Sequence, residues 1–309
     1  MNKISSFILN NSLVKKGWAL WREQKIFKTH KEVSNFCDVL IEEYYNGDKD
    51  NYLVLAKQKG LNQNVIWQYW GQGFEKKELP DMVQFCLDSV DKFKGNYQVI
   101  RIDDNNIKEY IDFPSFVWEK KNDNTFNRTF FSDLLRLALL NTYGGVWLDA
   151  TILLTKQLPN FLSDNDYFVY QRSDAELHKD YWKSTYAFYW GWNPKFKVRM
   201  LNSIFAAQRG SCVINALFNL TLTYWKTQSS WIDYFFSQIL YQQLITGRLK
   251  NYKCKILSDT IPHLLQTKIN NGYKYNTYNE ILDITGIHKL SYKDKCNPKM
   301  ILNILQGHS

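Results

Sequence analysis

Three charged side chains stand out in a largely apolar stretch of this 309-residue chain: Asp133, Arg136 and Asp149. Asp133 and Arg136 are three residues apart, so on a helix they share a face and act together. Asp149 follows the pair Gly144-Gly145, which can turn the backbone and bring the carboxylate back towards them. Two carboxylates and a guanidinium around one strand end can hold sugar hydroxyls and a diphosphate-bound metal. The same residues also suit a buried ion pair that only orders the helix, with Asp149 capping a turn. Residue types alone leave both readings open.

The elements that must position these groups are legible around them. Phe131 to Tyr143 reads as a helix with Ser132 as its N-cap and a run of leucines behind it. Gly144 and Gly145 stop it, and Val146-Trp147-Leu148 makes a short apolar strand. Asp149 then sits at the carboxyl end of that strand, where open α/β sheets bind ligands. The sheet is predicted to begin at Asn64–Gly73, an apolar strand running into glycines. Trp70 lies at its junction with the loop, where an indole either stacks on a flat ring or joins the core. A helix over Pro80–Val90 and a strand over Tyr97–Ile102 follow, with Asp103 and Asp104 at its end either touching a ribose or making a turn. Pro114–Lys121 reads as a short helix and Tyr167–Tyr170 as a strand leading into Gln171-Arg-Ser-Asp174, on the side where an acceptor would sit. Trp190 and Trp192 alternate along an extended segment and point one way, as a sugar platform or a seal on the core. Cys212–Tyr224 reads as a helix, and Trp231–Phe236 opens another that carries Asp233, an acid suited to a helix start.

Residues 1–60 differ in character and are predicted as a separate helical segment ahead of a catalytic domain over 61–309. Phe7, Ile8, Leu9, Leu13, Val14, Trp18, Leu20 and Trp21 lie among Lys15, Lys16, Arg22 and Lys25. Such a basic helix can lie on an anionic bilayer or pack on the domain. A second helix is expected over Lys31–Tyr45, burying Val33, Phe36, Cys37, Leu40 and Ile41. The net charge of +9 suits an anionic partner. Nucleic acid is excluded for want of any motif, leaving a membrane surface or a phosphate-rich substrate. Five cysteines without a Cys-x-x-Cys pair, and no signal peptide, imply a reducing cytoplasm. No apolar run reaches the roughly 18 residues that span a bilayer, so peripheral contact is the expected mode.

Ser132-Asp-Leu-Leu-Arg136 followed by Tyr143-Gly-Gly-Val-Trp-Leu-Asp-Ala-Thr151 resembles the donor-binding core of the capsular polysaccharide synthesis glycosyltransferases. The resemblance runs from about Asn64 to about Lys293. It implies a GT-A-like fold: a Rossmann-type mixed α/β sheet flanked by helices, here with an N-terminal helical extension. It also implies a retaining transfer of galactose or glucose from a UDP-sugar to an undecaprenyl-diphosphate-linked sugar. Donor contacts would fall on Gln68, Trp70, Asp133, Arg136, Trp147, Asp149, Ala150, Asn202 and Lys289, with Asp233 also near the pocket and counted with Asp133, Arg136 and Asp149 as catalytic. Mn²⁺ or Mg²⁺ would be held by Asp149 and His288, with His308 a weaker candidate. Thr151 stands where most of the larger group has a second Asp, which weakens the metal argument. It favours a rival reading, a catalytically weak sugar-nucleotide-binding module; a transferase acting on a protein acceptor is a third. Ala150, between Asp149 and Thr151, leaves room near a hexose. A bulkier residue there should shift hexose preference, or cost stability if the methyl points into the core.

Overall fold

The computed structural model describes residues 12–48, 51–52, 54–123, 126–294 and 296–307. Phe7, Ile8, Leu9 and His308 lie outside them, and so does the side chain of Leu13. The elements run α1 (Ser12–Tyr45), β1 (Val65–Tyr69), α2 (Asp81–Phe93), β2 (Gln98–Ile102), α3 (Ser115–Asn122) and α4 (Arg128–Tyr143). They continue with β3 (Gly145–Leu148), β4 (Ile152–Leu154), β5 (Tyr167–Gln171), α5 (Lys179–Thr185), β6 (Met200–Ala207) and α6 (Cys212–Thr227). The last are α7 (Phe236–Thr246), α8 (Leu264–Asn271), α9 (Tyr278–Ile284), β7 (Ile287–Lys289) and α10 (Pro298–Leu305).

Five strands form a mixed sheet in the order β2-β1-β3-β6-β5. β1 pairs in parallel with both β2 and β3, and β6 runs antiparallel to β3 and β5. The chain thus leaves β1 towards one side of the sheet and β3 towards the other, which opens a crevice at their carboxyl ends. β4 and β7 make a separate antiparallel pair. The fold is the mixed α/β sheet flanked by helices, with an N-terminal helical extension, that the resemblance implied.

Side-chain alternation divides the core between the two faces of the sheet. Val65, Trp67, Trp147 and Phe205 join the large cluster under α4, α6 and α7; Ile66, Val146, Leu148 and Ile204 join a second. Both faces are covered, which is why β1 and β3 are buried throughout. The turn between α4 and β3 is specific to glycine. Gly145 has φ +101°, and a Cβ there would stand 2.6 Å from the Val65 carbonyl oxygen.

Two expectations change in the structure. The two N-terminal helices are one continuous helix, α1. Its buried positions Ile26, His30, Val33, Cys37 and Leu40 recur every three or four residues straight through the expected break, and they join the core beneath α7. Trp18, Leu20 and Trp21, on its N-terminal half, stay exposed. The helix carrying Asp133 begins a turn earlier than the leucine run suggests. Its N-cap is Asn127, whose side chain accepts from the Thr129 and Phe130 amides, so Ser132 lies inside the helix.

Candidate active site

A cavity of about 370 Å³ opens at the carboxyl ends of β1 and β3. Trp70 and Gly71 leave β1 into its wall, while Asp149, Ala150 and Thr151 leave β3. Helix α4 presents one face to it: Arg128, Thr129, Ser132, Asp133 and Arg136. Asn202 and Ser203 of β6, Tyr234, Gln238, Lys289 and Tyr292 complete the lining.

Arg136 is the hub. One guanidinium nitrogen donates to Asp133 Oδ1 at 2.7 Å and the other to Asp149 Oδ1 at 3.2 Å. The guanidinium carbon lies 4.9 Å from the centre of the Trp147 ring, and Trp147 Nε1 donates to Asp149 Oδ1 at 2.8 Å. The Asp149 amide bonds the Ser203 carbonyl, which fixes the turn after β3. Asp133 is buried and fully engaged by protein, accepting from Asn202 Nδ2 and Ser237 Oγ at 3.0 Å each besides Arg136. Burial lifts its carboxyl above the ordinary range, and Arg136 pulls it back. With both oxygens occupied, Asp133 acts here as an anchor for Arg136 and Asn202. Asp149 is the carboxylate that reaches the cavity, its side chain 27% exposed.

Lys289 brings a second cation. Its Nζ donates to Thr151 Oγ1 at 2.7 Å and to the Leu290 carbonyl at 2.9 Å. Burial draws its ammonium down, and Asp149 opposes that. Arg128, at the mouth, pairs with Asp104 at 3.2 Å. Lys121 shares Asp104 with Arg128, so four cations meet three carboxylates and the lining keeps a positive surplus suited to an anionic ligand. Trp70 meets Tyr292 edge-to-face, with ring centres 5.6 Å apart.

Trp70, Asp133, Arg136, Asp149, Ala150, Asn202 and Lys289 thus converge on one cavity. Four expected residues do not line it. Gln68 is buried in β1 on the face away from Trp67, its Oε1 accepting from Arg101. Trp147 lies beneath Asp149 and supports that carboxylate from behind. Asp233 precedes α7 in a turn, accepting from the Phe235 amide, and lines a separate cleft with Lys25, Thr29 and Tyr186. His288 is buried and opposes Leu153 in the β4–β7 ladder. Strand alternation sends Lys289 to the cavity and His288 away from it, to Thr155 Oγ1 at 3.1 Å. His288 is therefore not placed as a metal ligand beside Asp149. Among the described residues no group of three or more His, Cys, Asp and Glu is arranged to hold a metal.

Burial gives His288 a different consequence. It lowers the imidazole from 6.5 to about 3, and it lowers His30 to about 4. Both bind fewer protons folded than unfolded, so their stabilisation is present above pH 6.5 and is lost as pH falls towards the folded values. Between pH 7 and 5 each is expected to cost about 2 kcal/mol. Urea denaturation at the two pH values checks this, and His288→Gln should flatten the dependence.

Ala150 has both surroundings considered for it. It lines the cavity and packs with Leu79, Val83 and Leu87. Ala150→Leu is expected to lose about 1–3 kcal/mol by overpacking that cluster, read as a lowered urea midpoint.

Residue types gave no hint of Arg128, Tyr234, Gln238 or Tyr292. Arg128 had a signal: Arg128, Ser132 and Arg136 are spaced i, i+4, i+8 along one helix face. The others come from loops and a helix distant in sequence.

No curated protein matches the chain. A solved structure described as PaToxG Glycosyltransferase is similar at 13% identity with a TM-score of 0.36, over 72% of this chain and 79% of that one. The sequence pattern of the family described as Capsular polysaccharide synthesis protein matches residues 16–306. That span is nearly the whole chain, including every cavity residue described above, and the protein belongs to the capsular polysaccharide synthesis protein family.

Proposed function

We propose that the protein is a glycosyltransferase that moves a hexose from a UDP-sugar, galactose or glucose, to a lipid-diphosphate-linked sugar during capsule assembly. The observation that carries this is the cavity at the crevice between β1 and β3, where Arg136 and Lys289 flank the carboxylate of Asp149 and Arg128 stands at the mouth. A nucleoside diphosphate supplies the negative charge these cations match. Trp70 and Tyr292 offer aromatic surface for the base. Family membership supplies the capsular setting.

In the transfer, the bond from the anomeric carbon to the diphosphate oxygen breaks as the acceptor hydroxyl attacks on the same face. The hydroxyl proton passes to the departing diphosphate. Arg136 and Lys289 offset the charge growing on that leaving group. The carboxylate of Asp149 steadies the positive sugar ring, and Asp133 keeps Arg136 aimed. The site has one open carboxylate, which fits a Mg²⁺ or Mn²⁺ completed by donor phosphate oxygens better than a cage of protein ligands. Such an ion, held by Asp149, would add charge neutralisation at the diphosphate. The exposed Trp18, Leu20 and Trp21 lie among Lys15, Lys16, Arg22 and Lys25 on α1, which favours contact with an anionic membrane where a lipid-linked acceptor resides. Among the described residues no helix is long and apolar enough to cross a membrane.

UDP release from a panel of UDP-sugars, with Mn²⁺ and with EDTA, tests the reading. Turnover of one or two UDP-hexoses supports it. UDP binding without turnover of any donor, acceptor present, would favour the binding-module reading, and absence of UDP binding would overturn both.

A further inference from the structure

A second cavity, of about 790 Å³, adjoins the first and shares Asn202, Ser203, Tyr234 and Gln238 with it. Its far wall is the α8 face carrying Gln266, Thr267 and Asn270, together with His263. The chemistry of the two cavities differs sharply. The first is lined by three basic side chains. The second has no Lys or Arg among its described lining residues, and its one carboxylate, Asp294, is exposed and bonded to Gln266.

Its polar groups are held in reserve. Thirteen buried side-chain polar atoms among the described residues have no hydrogen-bond partner, and four belong to residues of this cavity: Gln238 Oε1, His263 Nε2, Gln266 Oε1 and Asn270 Oδ1. Unpaired buried polar atoms are costly to keep, and hydroxyls bound in the cavity would recover that cost once these side chains turn to meet them. Three of the four are amides. Gln266 keeps its nitrogen on Asp294, while the terminal torsions of Gln238 and Asn270 are broad, so these two can turn to offer either oxygen or nitrogen. A hydroxyl both donates and accepts, and so satisfies an amide in either orientation. Tyr186 and Tyr234, half-exposed or more, add ring faces for a pyranose. Burial lowers His263 to about 4, so the imidazole adds no positive charge at neutral pH.

We propose that this second cavity is the acceptor subsite and that it takes an uncharged, hydroxyl-rich sugar ring while leaving the anionic diphosphate end of the acceptor outside. The proposal rests on reading the first cavity as the donor site. The acceptor then enters with its sugar foremost. Its attacking hydroxyl reaches the donor through the opening bounded by Asn202, Ser203, Tyr234 and Gln238.

Saturation-transfer NMR with methyl hexopyranosides, and with the 6-phosphates of the same hexoses, tests this on the full chain. Wild type is expected to bind at least one neutral glycoside, and to bind its phosphorylated counterpart at least tenfold more weakly. Gln266→Ala and Asn270→Ala should each weaken the neutral glycoside at least fivefold. No binding of any neutral glycoside, equal binding of the phosphorylated sugars, or unchanged binding in both variants overturns the proposal. UDP titrated by calorimetry into wild type reports on the first cavity separately. Glycoside binding without UDP binding would sink the donor reading instead.

Discussion

Arg136→Lys is expected to lower kcat/KM for the UDP-sugar by at least about 100-fold, the scale seen when one aimed donor is lost from a charge-stabilising site. Arg136 bridges Asp133 and Asp149 with two separate nitrogens while lying over Trp147. A lysine ammonium is a single point and cannot span both carboxylates in a plane. Arg136→Ala goes further, because it strands a carboxylate that the fold has buried. Asp133 then keeps only Asn202 and Ser237, and removing one partner of a buried pair typically costs about 3–5 kcal/mol. Burial already raises the Asp133 carboxyl, and losing Arg136 should raise it more. A carboxyl raised on folding loses stability as pH climbs above its unfolded value, so the deficit of Arg136→Ala relative to wild type should shrink between pH 7 and pH 5. Urea midpoints at both pH values, beside UDP-release kinetics of Arg136→Lys, check the two halves. A lysine variant within tenfold of wild type would refute the bridging role.

The contrast between Arg136 and His288 marks how far the sequence was readable. Arg136 and Asp133 lie on a long helix with a clear apolar stripe, so their shared face follows from spacing alone. Asp149 follows an apolar strand led by a glycine turn, and its place at the strand end is equally forced. His288 sits in a strand of three residues, Ile287 to Lys289. Two adjacent polar residues in so short a strand give no phase, and only pairing with β4 decides which faces the cavity. Gln68 fails the same way, since β1 is buried on both faces and its sequence does not say which opens to the ligand. Asp233 falls in a segment whose pattern suits a helix, yet the helix starts three residues later, at Phe236. The second cavity was hidden for another reason. Gln238, His263, Gln266 and Asn270 carry no motif, and they meet where α7, packed on β6, comes opposite α8 and the turn before it, packed on β7.

Arg172→Ala is expected to destabilise the fold by about 3–5 kcal/mol, as large as any single change outside the first cavity. Arg172 lies just beyond β5, where the sequence led an acceptor to be expected, and the structure makes it the centre of a buried polar cluster. Its side chain and that of Asp259 are both wholly inaccessible, joined by Nε to Oδ1 at 2.9 Å and Nη2 to Oδ2 at 2.9 Å. Two further guanidinium hydrogens bond the Gly191 and Tyr189 carbonyls, and Tyr189 OH donates to Asp259. The nearly parallel rings of Trp190 and Trp192 lie close by, 4.5 and 5.1 Å from the guanidinium carbon. The alternating tryptophans therefore pack beside a buried arginine, and Tyr189 and Trp190 carry that packing to the wall of the second cavity. Removing Arg172 leaves Asp259 charged and unpaired in the core, whereas removing both charges leaves nothing to pair. Arg172→Met with Asp259→Leu should accordingly be more stable than Arg172→Met or Asp259→Leu alone, a non-additivity that urea denaturation of the series measures. An Arg172→Ala variant within about 1 kcal/mol of wild type would show that the pair is dispensable. If the double variant regains stability but binds neutral glycosides more weakly than wild type, Arg172 orders the acceptor wall beyond simply holding the fold together.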